Sequence, residues 1–159
     1  MSATPLVIIG AGGFGREVHD VVDAINEHAL RRDGAETLDV LGFLDDSPAD
    51  GGLIGERGLT VLGPVSHLED LAGDVQYVIA IGNGEVRREL DAWASGPGRL
   101  SPVLVHPNAV IGKHLITMAP GVVVCAGAIL TTNIRLGRHV HINIGVTVGH
   151  DALLEDYVT

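Results

Sequence analysis

The chain has 159 residues, 46% hydrophobic but only 3% aromatic, with 22 glycines, a composition that suits one or two small domains built from aliphatic side chains and tight turns. Twenty acidic residues against ten basic ones give a formal charge of -10, which repels a phosphate backbone and argues against DNA or RNA as a partner. The single cysteine, Cys125, excludes an internal disulfide framework, no apolar run approaches the ~18 residues of a membrane span, and no signal-peptide pattern precedes the first strand, so a cytoplasmic protein is expected.

Over residues 1–103, strands alternate with helices. The apolar run Leu6 to Ile9 reads as a strand buried on both faces. Glycines follow, and Phe14, Val18, Val21, Val22 and Ile25 then fall on one face of a helix. Val40 to Leu44 is a second strand, closed by Asp45-Asp46 and a Pro/Gly-rich loop. Ser66 and Glu69 after Pro64 have the spacing of a capping box at a short helix. Tyr77 to Ile81 is the next strand, and Asn83 is placed to cap a helix whose inner face is Val86, Leu90 and Trp93, stopped by Gly96-Pro97-Gly98. This alternation implies a parallel α/β domain of Rossmann-like type.

Over residues 104–159 the period changes. Val105, Ile111, Met118, Val124, Leu130, Leu136, Ile142, Val148 and Leu154 recur every six residues, with one step of seven between Ile111 and Met118. Four places after most of them stands another small or apolar residue, and Gly112, Ala119, Cys125, Gly137, Asn143 and Gly149 follow directly. A six-residue repeat is neither helical nor that of a sandwich of alternating strands; it marks a parallel β-helix of triangular coils with the recurring apolar residue inside. The pattern is still running at Val158-Thr159, so a C-terminally truncated β-helix is expected. Ile134, Ile144 and Leu153 lie between the inward positions and are expected to be covered in a homotrimer.

Gly10, Gly12 and Gly15 form a GxGxxG that follows a strand and opens a helix, a turn that brings backbone amides against a diphosphate. Alone it fits a nicotinamide cofactor or a nucleotide sugar, or a tight turn with no ligand. Asp45 and Asp46 lie about thirty residues beyond Gly15, rather than the ~20 of a dinucleotide site, and are candidates to accept hydrogen bonds from base, ribose or sugar. A uridine or cytidine sugar nucleotide is the expected ligand. His139 and His141 are two ligand types without a third, too few for a metal, and read as turn residues near a trimer axis. His106, before Pro107, reads as structural, and Cys125 as a packing residue.

The segments VIIGAGGFGREV, GFLDD, AIGNGEVR, VHPNAVIG and INIGVTVGHD occur in that order. Together they resemble the bacterial sugar acetyltransferases of the sialic acid O-acetyltransferase and UDP-amino-sugar N-acetyltransferase (NeuD/PglD) type, over essentially the whole chain. The resemblance implies a sugar-binding Rossmann-like domain, then a left-handed parallel β-helix that carries acetyl-CoA as co-substrate and forms a homotrimer. By position it implies His150 as general base, Asp151 as its acidic neighbour and Asn143 as an active-site asparagine. It puts Gly12, Gly13, Phe14, Gly15, Asp45, Asp46, Gly82 and Asn83 at the sugar-nucleotide site. Phe14 stands where amino-sugar enzymes carry histidine, and Thr159 where a second histidine lies near the thioester.

Chemically, an amine or hydroxyl attacking a thioester loses a proton, which a histidine accepts near neutral pH, and the amide of Gly149 or a neighbour is a candidate to stabilise the oxyanion. Two other readings follow from parts of the sequence: an NAD(P)-dependent sugar-modifying oxidoreductase, from the glycine turn alone, and a non-catalytic trimeric scaffold that binds sugar nucleotides. The first leaves the hexad half unexplained, and the chain carries no Tyr-x-x-x-Lys dyad.

Overall fold

The computed structural model describes residues 3–35, 37–48, 51–96 and 98–159. Four parallel strands, β1 (Thr4–Ile9), β2 (Leu38–Leu44), β3 (Val61–Gly63) and β4 (Gln76–Ile79), lie in the order β3-β2-β1-β4. Parallel neighbours require crossovers, supplied by α1 (Gly13–Asp33), α2 (Gly51–Gly55) and a 3-10 turn (Val65–Asp70); α3 (Gly84–Ser95) follows β4. Leu6, Val7, Ile8 and Ile9 of central β1 are fully buried because both faces of the sheet are covered. Leu6 and Ile8 pack with Val18, Val21 and Val22 of α1, while Val7 and Ile9 pack with Leu68 and, on α3, Ala94. Strand order reverses between β1 and β4, which opens a crevice at their carboxyl ends.

Several local expectations change. Ala80 and Ile81 leave β4 and form the loop before α3. The capping box does not form: the 3-10 turn begins at Val65 behind Pro64, and the Glu69 carboxylate accepts a hydrogen bond from Trp93 Nε1. Asn83 does cap α3, accepting from the amides of Glu85 and Val86. The most buried positions of α3, however, are Arg87, Asp91 and Ala94; Leu90 and Trp93 are half-buried, and Val86 is exposed. Pro97, expected to help end α3, lies outside the described residues.

The remaining strands are β5 (Leu104–Val105), β6 (Val110–Ile111), β7 (Ile116–Met118), β8 (Val123–Val124), β9 (Ile129–Leu130), β10 (Ile134–Leu136), β11 (His141–Ile142), β12 (Thr147–Val148) and β13 (Leu153–Leu154). They form three parallel sheets, β5-β8-β11, β6-β9-β12 and β7-β10-β13, the faces of a left-handed β-helix. The hexad residues stack as the sequence requires: Val105 on Val124 on Ile142, Ile111 on Leu130 on Val148, and Met118 on Leu136 on Leu154. The seven-residue step is absorbed between β6 and β7, since Val110 pairs with Ile129 while Ile116 already pairs with Ile134.

Positive φ recurs every six residues, at Leu115, Gly121, Gly127, Asn133, His139, Gly145, Asp151 and Tyr157. Five of these are not glycine, and each accepts a conformation that disfavours side chains by ~1–2 kcal/mol because the paired coils on either side fix the corner. Small residues after the inward positions have a separate cause: a Cβ on Gly112 would collide with the Thr131 carbonyl of the next coil, and one on Gly137 with the backbone of Glu155 and Asp156. Ile134 proves to be fully buried within the prism, not on its surface, whereas Ile144 and Leu153 are exposed.

The two halves share one core. Leu104, Val123 and Cys125 project from the β5-β8-β11 face into the cluster of Leu6, Ile8 and α1, so this face serves as a layer over the parallel sheet. Among the described residues no helix is long and apolar enough to cross a membrane. Gly112→Ala is expected to destabilise the chain by about 1–3 kcal/mol by overpacking the coils. In the same thermal-denaturation experiment, Gly73→Ala, where a Cβ meets nothing, stays within about 0.5 kcal/mol of the parent.

Candidate active site

The glycine turn after β1 is shaped by close packing. Gly10 has φ +104°, and a Cβ there would press on the Ala80 carbonyl; one on Gly15 would collide with the Gly10 carbonyl. These two glycines let α1 approach β1. Gly12 caps α1 without a side-chain hydrogen bond, and nothing lies within 4 Å of where its Cβ would be. The amino end of a 21-residue helix is thus left open beside the crevice, where its amides and dipole favour an anion.

That crevice is a cleft of about 200 Å³ lined by Gly10, Asp45, Asp46, Ile81, Val86 and Leu90, among others. Asp45 closes its β2 side, accepting from the Ala11 amide at 2.7 Å and the Ser47 amide at 2.8 Å; Asp46 accepts from the Val65 amide at 2.8 Å. Each aspartate therefore holds a loop, and its remaining lone pairs are what it has to offer a ligand. Ile81 lines the opposite side of the cleft, and Gly82 and Asn83 follow it outside the lining, with Asn83 committed to capping α3. Phe14 points the other way: its ring centroid lies 4.7 Å from that of His141 on the β-helix.

His150 and Asp151 occupy the corner between β12 and β13. Adjacent residues usually diverge, but Asp151 has φ +62°, which turns its carboxylate toward His150 Nδ1 at 2.7 Å. One coil below, Asn133 occupies the equivalent left-handed corner and donates to Asp151 Oδ1 at 2.5 Å. The Asn133 hydrogen bond, followed by that of His150, holds the Asp151 carboxyl below its usual range, so it stays an acceptor. Nδ1 therefore carries the imidazole hydrogen and Nε2 is left as the basic nitrogen. Both side chains are exposed, as are Gly149 and Asn143. Asn143 lies at the preceding corner, across β12 from His150.

A buried polar junction joins this β-helix to the cleft. Asp91 of α3 accepts from Tyr77 at 2.6 Å, Tyr157 at 2.7 Å and Arg138 at 2.7 and 2.9 Å, and contacts His139 Nε2 at 2.9 Å. Burial pushes its carboxyl up, but hydrogen bonds from His139, Arg138, Tyr77 and Tyr157 prevail and hold it far below the usual range. Arg87 reaches the carbonyls of Ile81, Gly82 and Tyr157 and the hydroxyl of Thr159. Thr159 thus lies over His141, one coil on, where it meets α3. His139 and His141 are correspondingly not at a free axis: both are buried against the α/β half of their own chain. His106 accepts from the Asn108 amide through Nδ1, a local turn contact.

On α1, His19, Asp20 and Asp23 come together, but the Arg57 guanidinium pairs with Asp20 and lies 3.2 Å from His19 Nδ1, supplying there the charge a cation would bring. Cys125 is buried and its thiol is pushed up to about 11 by burial, which suits packing rather than nucleophilic attack. Asn133 and the Arg87–Asp91 junction were not anticipated from the sequence. Asn133 was discoverable as the residue 18 before Asp151, one coil away. Arg87 and Asp91, polar and four apart on an amphipathic helix, read as a solvent face until the β-helix covers them.

The model of the PglD N-terminal domain family matches residues 5–92. The GDP-perosamine N-acetyltransferase of Escherichia coli O157:H7 is 29% identical over 154 residues, covering 96% of this chain and 65% of that protein. The chain thus spans about 65% of the length of that curated relative. The acetyltransferase domain of PglB from Neisseria gonorrhoeae FA1090, solved with acetyl coenzyme A, superimposes with a TM-score of 0.81 at 30% identity, over 98% of this chain and 69% of that one. PerB from Caulobacter crescentus, solved with CoA and GDP-perosamine, gives a TM-score of 0.76 at 27% identity, over 98% and 68%.

His141 supplies a pH test of the junction. Burial, then the nearby Arg87 charge and His139, push its imidazole from 6.5 down to about 3. The unfolded chain therefore binds the extra proton first, and stability falls as pH drops from about 6.5 toward 3, by about 2 kcal/mol at pH 5 for this one group. Denaturant titrations at pH 7 and pH 5 should show His141→Leu losing less stability across that interval than the parent. Equal losses would mean that His141 is not held neutral.

Proposed function

The chain belongs to the PglD family of NeuD/PglD-type sugar acetyltransferases, and from that membership we propose that it transfers an acetyl group from acetyl-CoA to the amine of a nucleotide-activated amino sugar. The observation that carries the reading is the Asn133–Asp151–His150 relay at a β-helix corner, which leaves Nε2 of an exposed histidine free and basic. The acceptor binds in the cleft of the α/β half, its diphosphate at the Gly12–Gly13 amides and its base or ribose toward Asp45 and Asp46. GDP-perosamine, which the Caulobacter relative binds, is the first acceptor to test.

The acetyl donor supplies a thioester. His150 Nε2 takes the proton from the attacking amine as the new C–N bond forms, and the C–S bond breaks as that proton passes on toward the thiolate. Asp151 fixes the tautomer and stabilises the imidazolium, with Asn133 holding Asp151 in turn. An amide near Gly149 donates to the developing oxyanion. Asn143 stands at the preceding corner, across β12 from His150, as the active-site asparagine, and Thr159 is assigned to the acyl donor. A homotrimer covers the exposed Ile144 and Leu153 and places His150 beside a groove shared with the neighbouring copy, where the acyl donor lies. The protein acts in the cytoplasm, where its free cysteine stays reduced.

The test is CoA release with GDP-perosamine and acetyl-CoA. His150→Ala is expected to slow transfer by ~100- to 10,000-fold while the sugar nucleotide still binds by calorimetry. Asp151→Asn should cost less than His150→Ala, because it disturbs the tautomer and leaves the base in place. Near-parental turnover in His150→Ala would overturn the assignment.

A further inference from the structure

We propose that Arg87 is a positioning residue that couples the acceptor loop Ile81–Asn83 to the coil that follows His150, an inference that rests on the acetyl-transfer reading above. Arg87 is fully buried, the largest side chain in the interior. Its neighbour one turn on, Asp91, is matched by Arg138, but Arg87 has no carboxylate partner among the described residues. Its acceptors among the described residues are carbonyls and a hydroxyl, and Nε finds none there. Burying a cation without a counter-charge is costly, and burial accordingly depresses its pKa. Methionine would fill a similar volume without that penalty, but it would leave the acceptors of the guanidinium on both segments unpaired.

What the arginine does is join two segments. Nη1 donates to the Ile81 carbonyl at 2.6 Å and the Gly82 carbonyl at 3.0 Å, on the loop that walls the cleft. Nη2 donates to the Tyr157 carbonyl at 2.5 Å and the Thr159 hydroxyl at 2.8 Å. The guanidinium is a rigid planar fork, so it fixes the separation of the two segments as a flexible ammonium does not. There is no slack beside it, since a Cβ on Gly84 would run into the Tyr157 carbonyl. Tyr157 is gripped again through its hydroxyl by Asp91, with Arg88 5.4 Å from its ring centroid. From Tyr157 the chain leads back through β13 to the His150–Asp151 corner. Positions 84, 87, 88 and 91 thus form one stripe of α3 that reads this coil, and the acceptor loop hangs from the same helix. The acceptor loop is therefore held at a set distance from the coil that follows His150.

The experiment compares the parent with Arg87→Lys and Arg87→Met, using GDP-perosamine and CoA as probes. Both variants are expected to bind each probe within about threefold of the parent, while kcat falls on the order of 100-fold through misalignment of the reacting groups. Guanidinium ion added to Arg87→Met should restore part of that loss. In hydrogen-exchange mass spectrometry, GDP-perosamine should slow exchange at residues 157–159 in the parent and not in Arg87→Lys. Variants with kcat within threefold of the parent, or a loss of kcat matched by an equal loss of binding, would overturn the role. So would a parent that binds the sugar without protection at 157–159, a result that does not require Arg87→Met to fold. A parent that neither binds GDP-perosamine nor transfers acetyl removes the proposed function, and this inference with it; a parent that does both, with variants that behave alike, removes the inference alone.

Discussion

One buried carboxylate, Asp91, holds the two halves of the chain in a single arrangement. It lies on α3, in the α/β half, yet three of its four partners, Arg138, His139 and Tyr157, belong to the β-helix. Inside a protein such a charge is tolerable only when its lone pairs are filled, and the geometry that fills them admits one docking of α3 on the coils. The His139 ring lies over Gly121 one coil below, at a corner where any Cβ would strike the imidazole, so the glycine is required by the same junction. Apolar contacts supply the bulk of the attachment through Leu104, Val123 and Cys125. Those contacts are non-directional; the carboxylate sets the register.

That register matters because the two parts of the proposed site lie on different halves. The cleft is a product of strand order: β1 and β4 part their connections in opposite directions, and the glycine turn opens α1 beside the gap. The proposed base is a product of coil geometry: a left-handed corner turns Asp151 back on His150, and the corner below supplies Asn133. Neither depends on the other locally. The apolar layer through Leu104, Val123 and Cys125 holds the two halves together, and the polar residues of the α3 junction set how they are aligned.

The β-helix was legible from sequence because its cause is periodic. Each inward residue stacks on its equivalent a coil away, and the one irregular step, between Ile111 and Met118, is where the structure inserts its extra residue. The central strand and the Asn83 cap were legible for equally local reasons. The inner face of α3 was legible in part: Leu90 and Trp93 pack on the core under the sheet as hydrophobicity indicates, but Val86 is exposed and the β-helix covers Arg87 and Asp91. Non-local pairing of charges leaves no periodic trace. His150 and Asp151 were visible as a dipeptide, but their contact required a positive φ that an aspartate seldom adopts. The same holds for His139, a turn residue near a trimer axis by sequence and an interior group of its own chain by structure.

The central claim is group transfer between two small molecules held by different halves of one chain. It is tested most directly by incubating the protein with acetyl-CoA carrying an isotopically labelled acetyl group and GDP-perosamine, then following the acceptor by mass spectrometry. The account predicts that the label appears on the sugar amine, with one CoA released per acceptor modified and no release when the acceptor is omitted. Unmodified acceptor beside intact acetyl-CoA, or CoA released by hydrolysis alone, would contradict it.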